Sequence, residues 1–448
     1  MPYLLFKPDA KMLRRNDLAG IVDAPAVFNG RWEYQHIPSA FLRSRASPKF
    51  KQSVFTQHLT RPRRPTRRSM WTFGEALTNF LEWCEENSKR WEALSFTDDI
   101  LEGYQADMLS GAWSASKHPL MPRTVNSRVS EACNFLEWAA QSAFRSAFDV
   151  KRVSTRLRVP ASISTAVNNG MQVEVRAGMV RADPLTLRIP TNDEIRTWHK
   201  SVRIISGDTK TLMCELVLET GIRREEAVQW RVDTLPIDKT EWVTQGDSVQ
   251  VTIRHGTKGQ KHIGADGDEI GPARTICIPL LLALKLHDYR ERTRPKLRAN
   301  YVRGAADISE RRRRMINSTS RLFLSDFTGE PVSAQRFYDA WKDSPSLPYK
   351  SWTVHLGRHW WACTTLLKYC KLRFQIAPAD ANYGDSHGVL VATAIDILRL
   401  IIKPQLGHVS VETSDKYIVW IQHMLMRDAP MHDLYELALE SPFTAPMS

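Results

Sequence analysis

The sequence predicts a mainly α, multidomain protein, with a small helical domain followed by a larger mixed α/β domain that carries a small antiparallel sheet. Three observations predict it. The 448 residues exceed what one hydrophobic core ordinarily organises. After residue 70 the apolar residues recur mostly at helical spacing, and strand-like alternation is confined to short stretches near 250 and 276. The hydrophobic fraction of 42% and charged fraction of 25% are those of a folded globular chain.

Residues 1–69 read as a basic N-terminal arm. Residues 1–70 hold fourteen Lys and Arg against four Asp and Glu, so +10 of the net charge of +13 lies there. The arm ends in Arg61-Pro-Arg-Arg-Pro-Thr-Arg-Arg68, which its prolines keep from being helical throughout. Arg63, Arg64, Arg67 and Arg68 are candidate phosphate contacts; a solvated tether is the alternative. Tyr3, Phe6, Val22, Phe28, Trp32 and Tyr34 give the arm material for docking, short of what an independent core needs.

Residues 70–148 read as a helical core domain. Thr72 and Glu75 have the spacing of a capping box, followed by Phe73, Leu77, Phe80, Leu81 and Cys84 at helical intervals. A second helix is expected from Thr97, with Ile100, Leu101, Tyr104 and Met108 on one face. A third is expected from Thr124, with Val125, Val129, Cys133, Leu136 and Ala140 inward. Arg123 and Arg128 lie off that apolar face, where they would touch DNA or simply be solvated. Residues 149–188 read as a linker broken by Gly170, Gly178 and Pro184.

The second domain is expected over 189–430, with a C-terminal tail at 431–448. Thr191 and Glu194 form its opening capping box, and a helix near 209–219 stops at Gly221. Val249, Val251 and Ile253 alternate as in a strand, and residues 275–279 read as its partner across a polar, Gly-rich loop. Helical patterns return near 280–290, 335–342, 355–370 and 390–402, and after Ser410.

A net charge of +13 and a pI near 9.5 point to a polyanionic partner, with nucleic acid the commonest; a solvated basic surface is the alternative. The six cysteines are scattered without metal-ligand spacing, and each lies in an apolar stretch, so buried free thiols in a reducing compartment are expected. The N-terminal apolar run is too short for a signal peptide, and Asp396 and Arg399 interrupt the most apolar stretch. A cytoplasmic protein with no metal, cofactor or membrane partner is expected.

Three short motifs stand out by their order. They are Thr220-Gly-Ile-Arg-Arg-Glu-Glu226, His355-Leu-Gly-Arg358, and Leu406-Gly-His408 with Tyr417 nine residues beyond the histidine. In residue type, spacing and order these resemble the tyrosine recombinase (phage integrase) family, whose pattern is TGxRxxE, HxxR, LGH and a nucleophilic Tyr. The resemblance spans roughly residues 70–430. It implies a helical (SAM-like) core-binding domain that clamps DNA, and a tyrosine-recombinase catalytic domain.

Chemistry gives each motif residue a reason. Attack on a phosphodiester builds negative charge on the non-bridging oxygens, which fixed guanidinium forks stabilise; Arg223 and Arg358 are the candidates. Tyr417 would attack phosphorus, and a free phenol with a pKa near 10 needs help to do so. The resemblance makes His355 the base and His408 a donor to a phosphate oxygen. It also places the general acid on a turn between two strands, where Lys258 is the choice and Lys261 the runner-up. Glu226, three residues after Arg223, is expected to orient it. His359, Trp360 and Trp361 read as structural.

Two departures from the family pattern stand out. Gly357 replaces the usual Leu before the Arg and would loosen the helix. Arg358 and His408 are fifty residues apart, with extra material at about 371–395 that reads as a surface insertion.

The function implied is a site-specific recombinase or integrase for a mobile element. It would act on double-stranded DNA as a homo-oligomer, a dimer per site and a tetramer in synapsis, with companion recombinases as an option. It would be a bacterial, nucleoid-associated protein. The alternatives are a type IB topoisomerase or telomere-resolving enzyme, and an inactive DNA-binding accessory protein.

Overall fold

The computed structural model describes residues 2–48, 50, 64–156, 172–181, 187–259, 261–264, 268–376, 392–407, 417–421 and 424. The chain divides into two compact units, Met1–Pro184 and Leu185–Ser448.

In the first unit, the helix Arg67–Glu86 packs against the helix Pro122–Gln141. Between them in sequence runs a π-helical segment, Phe96–Gln105, continued by Ala106–Ser110. Of the expected inward residues, Leu77, Phe80, Leu81, Cys84, Ile100, Tyr104, Met108, Val125, Val129, Cys133 and Leu136 are buried, Phe73 and Leu101 are half-buried against the same core, and Ala139 takes the place expected for Ala140. The first helix starts earlier than the Thr72–Glu75 pair suggested. Thr66, just after Pro65, caps it by accepting from the Ser69 amide at 3.2 Å, while the Thr72 hydroxyl bonds back to the Arg68 carbonyl.

Residues 2–48 do not stand apart from the helical core as an arm over 1–69 would. Leu4–Phe6 and Ala26–Phe28 pair antiparallel, and the helix His36–Arg45 lays Phe41 and Leu42 into the same core as Leu77 and Phe135. The Phe41 and Phe135 rings meet edge-on at 5.4 Å, and Arg45 pairs with the buried Glu131 at 3.2 Å. Apolar material insufficient alone is sufficient when it completes a neighbour's core. Within the expected linker, Arg152–Arg156 and Gln172–Arg176 form a hairpin.

In the second unit, Thr191 and Glu194 form the expected capping box at the start of Asn192–Ser206, with both reciprocal bonds present. The helix Asp208–Thr220 ends at Gly221 in the left-handed conformation. A three-stranded antiparallel sheet runs in the order Val243–Gln245, Ser248–Ile253, Arg274–Pro279, with Val249 opposite Ile278 and Val251 opposite Ile276. These side chains join the core of Trp198, Leu216, Trp341 and Trp352. The long helix Val354–Ile376 packs against Asp208–Thr220. A second cluster gathers Ala362, Cys363, Leu366, Leu398, Ile402, Leu406, Tyr417 and Ile421.

All six cysteines are free, but Cys277 is exposed rather than buried, because strand alternation turns it away from Ile276 and Ile278. Among the described residues no helix is long and apolar enough to cross a membrane.

Candidate active site

Main-chain carbonyls stitch the three motifs together. Arg223, the cap residue of the short helix Arg224–Val228, donates from Nη2 to the Gly407 carbonyl at 3.0 Å. Arg358, on the first turns of Val354–Ile376, donates from Nη1 to the Gly221 carbonyl at 2.7 Å and from Nη2 to the Leu406 carbonyl. Segments 137 and 48 residues apart along the chain are thereby held at one place.

Glu226 anchors the centre of this arrangement. Its side chain is completely buried and accepts the Arg223 amide at 2.7 Å and Arg223 Nη1 at 3.0 Å. Two further bonds come from Arg274, Nε at 3.2 Å and Nη2 at 2.6 Å. Burial alone would raise the carboxyl pKa; the hydrogen bonds and charges of Arg274 and Arg223 outweigh it and hold the pKa below its ordinary value. Glu226 thus holds Arg223 by both its amide and its guanidinium. The motifs did not point to Arg274, which opens the strand Arg274–Pro279.

Beside this network lies a cleft of about 410 Å³ whose lining includes Arg223, Lys258, Arg274, Arg399 and Lys403, and no acidic residue among the described residues. Such a lining suits a phosphate group. Lys258 is exposed in the loop that follows Ser248–Ile253 and reaches the cleft. Its rival Lys261 is paired instead with Glu269 at 2.7 Å and does not line it.

Arg358 lies beneath the surface, at 1% exposure. Burial, together with the positive charge of Arg223, pushes its pKa down to about 9, so it remains a cation at neutral pH. His355 is exposed, one helical turn from the buried His359, with the rings edge-on at 4.5 Å. The Tyr417 hydroxyl is not in contact with solvent. It lies 2.7 Å from His359 Nδ1, inside the Cys363–Leu406–Ile421 cluster, and burial raises its pKa. His359 therefore touches the expected nucleophile, a role its place beside two tryptophans had concealed.

His408 and Arg63 lie outside the described residues, as does most of the expected insertion. Arg64, Arg67, Arg68 and Arg123 are exposed and Arg128 half-buried, all in the first unit.

No protein-family model matches the chain, and no curated protein does. Solved structures do match. The XerH site-specific recombinase, bound to its palindromic difH substrate in a post-cleavage complex, superposes with a TM-score of 0.50 at 14% identity, over 89% of this chain and 95% of that one. The Tn1549 transposon integrase with circular intermediate DNA gives a TM-score of 0.43 at 14% identity, over 84% and 94%. A lambda integrase dimer on a COC′ core site gives 0.40 at 12%, over 92% and 81%. At such identities a likeness concerns architecture, and the first of them carries it: this chain has the mainly helical, two-domain fold of the tyrosine recombinases.

Proposed function

We propose that the chain is a site-specific DNA recombinase that cleaves and rejoins double-stranded DNA through a 3′-phosphotyrosyl bond at Tyr417, for integration or excision of a mobile element. The observation that supports this best is the meeting of the three motifs beside a cleft whose charged lining residues, among the described residues, are all cations.

In this reading a scissile phosphate enters the cleft. Arg223 presents the donors that Glu226 and Gly407 leave over, and Arg358 adds charge from below. The Tyr417 oxygen attacks phosphorus as its proton passes to a histidine, His355 by resemblance. The bond to the 5′-oxygen breaks, and Lys258 protonates that oxygen. Rejoining is the reverse: the 5′-hydroxyl attacks the phosphotyrosine and tyrosine leaves. Two esters exchange, so neither ATP nor another energy source is required. His408 would donate to a phosphate oxygen, and Arg64, Arg67, Arg68, Arg123 and Arg128 would contact the backbone in a salt-dependent manner. Assembly as a dimer on each site, paired into a tetramer, belongs to the same proposal.

One observation favours a second reading, a DNA-binding accessory protein: the Tyr417 hydroxyl is sheltered on His359 rather than in the cleft. A nicked suicide duplex carrying an end of the element separates the two. Incubated without metal or ATP, wild type should give a slow-migrating covalent adduct on a denaturing gel, and Tyr417→Phe none. Binding without any adduct would favour the accessory reading.

A further inference from the structure

We infer that Arg274, which lies in none of the three motifs, is a positioning residue for Arg223; the inference rests on the recombinase reading above. Arg274 stands at the head of its strand, in phase with the buried Ile276 and Ile278, so its side chain turns inward. It spends three donors on two other segments: Nε and Nη2 on Glu226, and Nη1 on the Gln405 carbonyl.

Both oxygens of Glu226 are thereby shared between two arginines. Oε1 accepts from Arg223 Nη1 and Arg274 Nε; Oε2 accepts from the Arg223 amide and Arg274 Nη2. A carboxylate this deeply buried requires compensating charge and hydrogen bonds. Arg274 supplies half of them. Without it the carboxylate would turn toward Arg223 alone, drawing the guanidinium inward and using donors that a phosphate would otherwise receive. The link to Gln405 extends the effect. Gln405 is itself clamped to the sheet, accepting from the Cys277 amide at 2.9 Å and donating to the Cys277 carbonyl at 2.8 Å and the Thr220 carbonyl at 3.1 Å. Arg274 therefore fixes the segment that leads into His408 against the segment that presents Arg223. Lysine could not do the same, since one ammonium lacks the planar fork needed to bridge a carboxylate and a carbonyl on separate elements.

The test compares wild type, Arg274→Ala and Arg274→Lys in single-turnover cleavage of the suicide duplex. The scissile group is either the natural phosphate or an uncharged methylphosphonate, and DNA affinity and thermal midpoint are measured alongside. On phosphate, Arg274→Ala should cleave roughly 100-fold more slowly, the scale of losing one aligned oxyanion donor. Arg274→Lys should recover little of that rate. Affinity should fall far less than the rate, because the interaction of Arg223 that is lost acts chiefly on the developing charge. On methylphosphonate, which makes a smaller demand on Arg223, most of the gap to wild type should close. Rates within about threefold of wild type on phosphate, small beside that expected loss, would overturn the inference. So would equal slowing on both substrates, which is the signature of general structural damage. Should the alanine variant fail to fold, the lysine variant decides by the same comparison of substrates. Absence of adduct with wild type itself would instead overturn the recombinase reading, and this inference with it.

Discussion

Replacing Gly357 with alanine should destabilise the second unit, although the position lies inside a long helix where alanine is ordinarily the better residue. Helix propensity alone favours the change by about 1 kcal/mol. Packing opposes it. A Cβ at 357 would lie 2.5 Å from Trp341 Cη2 and 2.6 Å from Cζ2, well inside any contact a methyl group tolerates. The indole cannot retreat. It is fully buried, its ring lies 4.5 Å from that of Trp198 and 5.7 Å from that of Trp352, and the main-chain carbonyl of Trp341 accepts from Trp198 Nε1 at 3.2 Å. Overfilling a rigid core costs about 1–3 kcal/mol, and an approach of 2.5 Å to a buried indole belongs in the upper part of that range, about 2–3 kcal/mol, so a net loss of about 1–2 kcal/mol is expected after the propensity gain. For a unit of this size that lowers the thermal midpoint by roughly 2–8 °C. Circular dichroism melts of wild type, Gly357→Ala, Trp341→Phe and the double variant would measure it. The double variant should be more stable than the two single losses predict, by about 1 kcal/mol of coupling. An alanine variant as stable as wild type, or additive losses, would refute the claim that Trp341 is why glycine stands before Arg358.

Two further outcomes follow from the same geometry. Glu226 has a lowered pKa in the folded state, so its stabilising contribution is complete above the unfolded value near 4.5 and fades as pH falls through the folded value. The difference in melting temperature between wild type and Glu226→Gln should accordingly be constant near neutrality and shrink below about pH 4.5; a deficit that persists unchanged into acid would contradict it. Cys277 should be the first thiol alkylated by iodoacetamide in the native protein, because Cys84 and Cys133 are buried with pKa values raised to about 12; peptide mapping that finds either of those labelled first would refute this.

Local signals in the sequence were legible where the chemistry was itself local. The Thr191–Glu194 box, the Gly221 cap and the alternating residues of the two strands each depend on neighbours a few residues away, and each is present. What escaped depended on distance along the chain. Tyr3 donates its amide to Glu82, and Phe41 packs on Phe135; the apolar residues of 1–69 suited docking, but nothing among them names partners so far downstream. The Thr72–Glu75 pair misled because its spacing recurs inside helices, and only the preceding Pro65 marks the true start at Thr66. Arg274 had a signal that was available: alternation places it on the same face as Ile276 and Ile278, and an inward-phased arginine needs an acidic partner. The same alternation turns Cys277 outward.

The manner in which the motifs meet also accounts for how little of the sequence this arrangement prescribes. Arg358 and Arg223 hold the other motifs through the carbonyls of Gly221, Leu406 and Gly407, and a carbonyl is supplied by any residue. Such contacts constrain the donor's identity and the backbone's path, and leave most acceptor side chains free to vary. Where they do constrain an acceptor, the demand is steric. Gly407 has φ 59°, and a Cβ there would meet Arg274 Cδ at 2.9 Å and Nε at 3.2 Å. The glycine of Leu-Gly-His is thus required twice, by its left-handed backbone and by the arginine lying across it. These contacts ask for a few arginines, one buried glutamate and the glycines beside them, and all of these but Arg274 stand in the three motifs, legible in a chain that matches no family model.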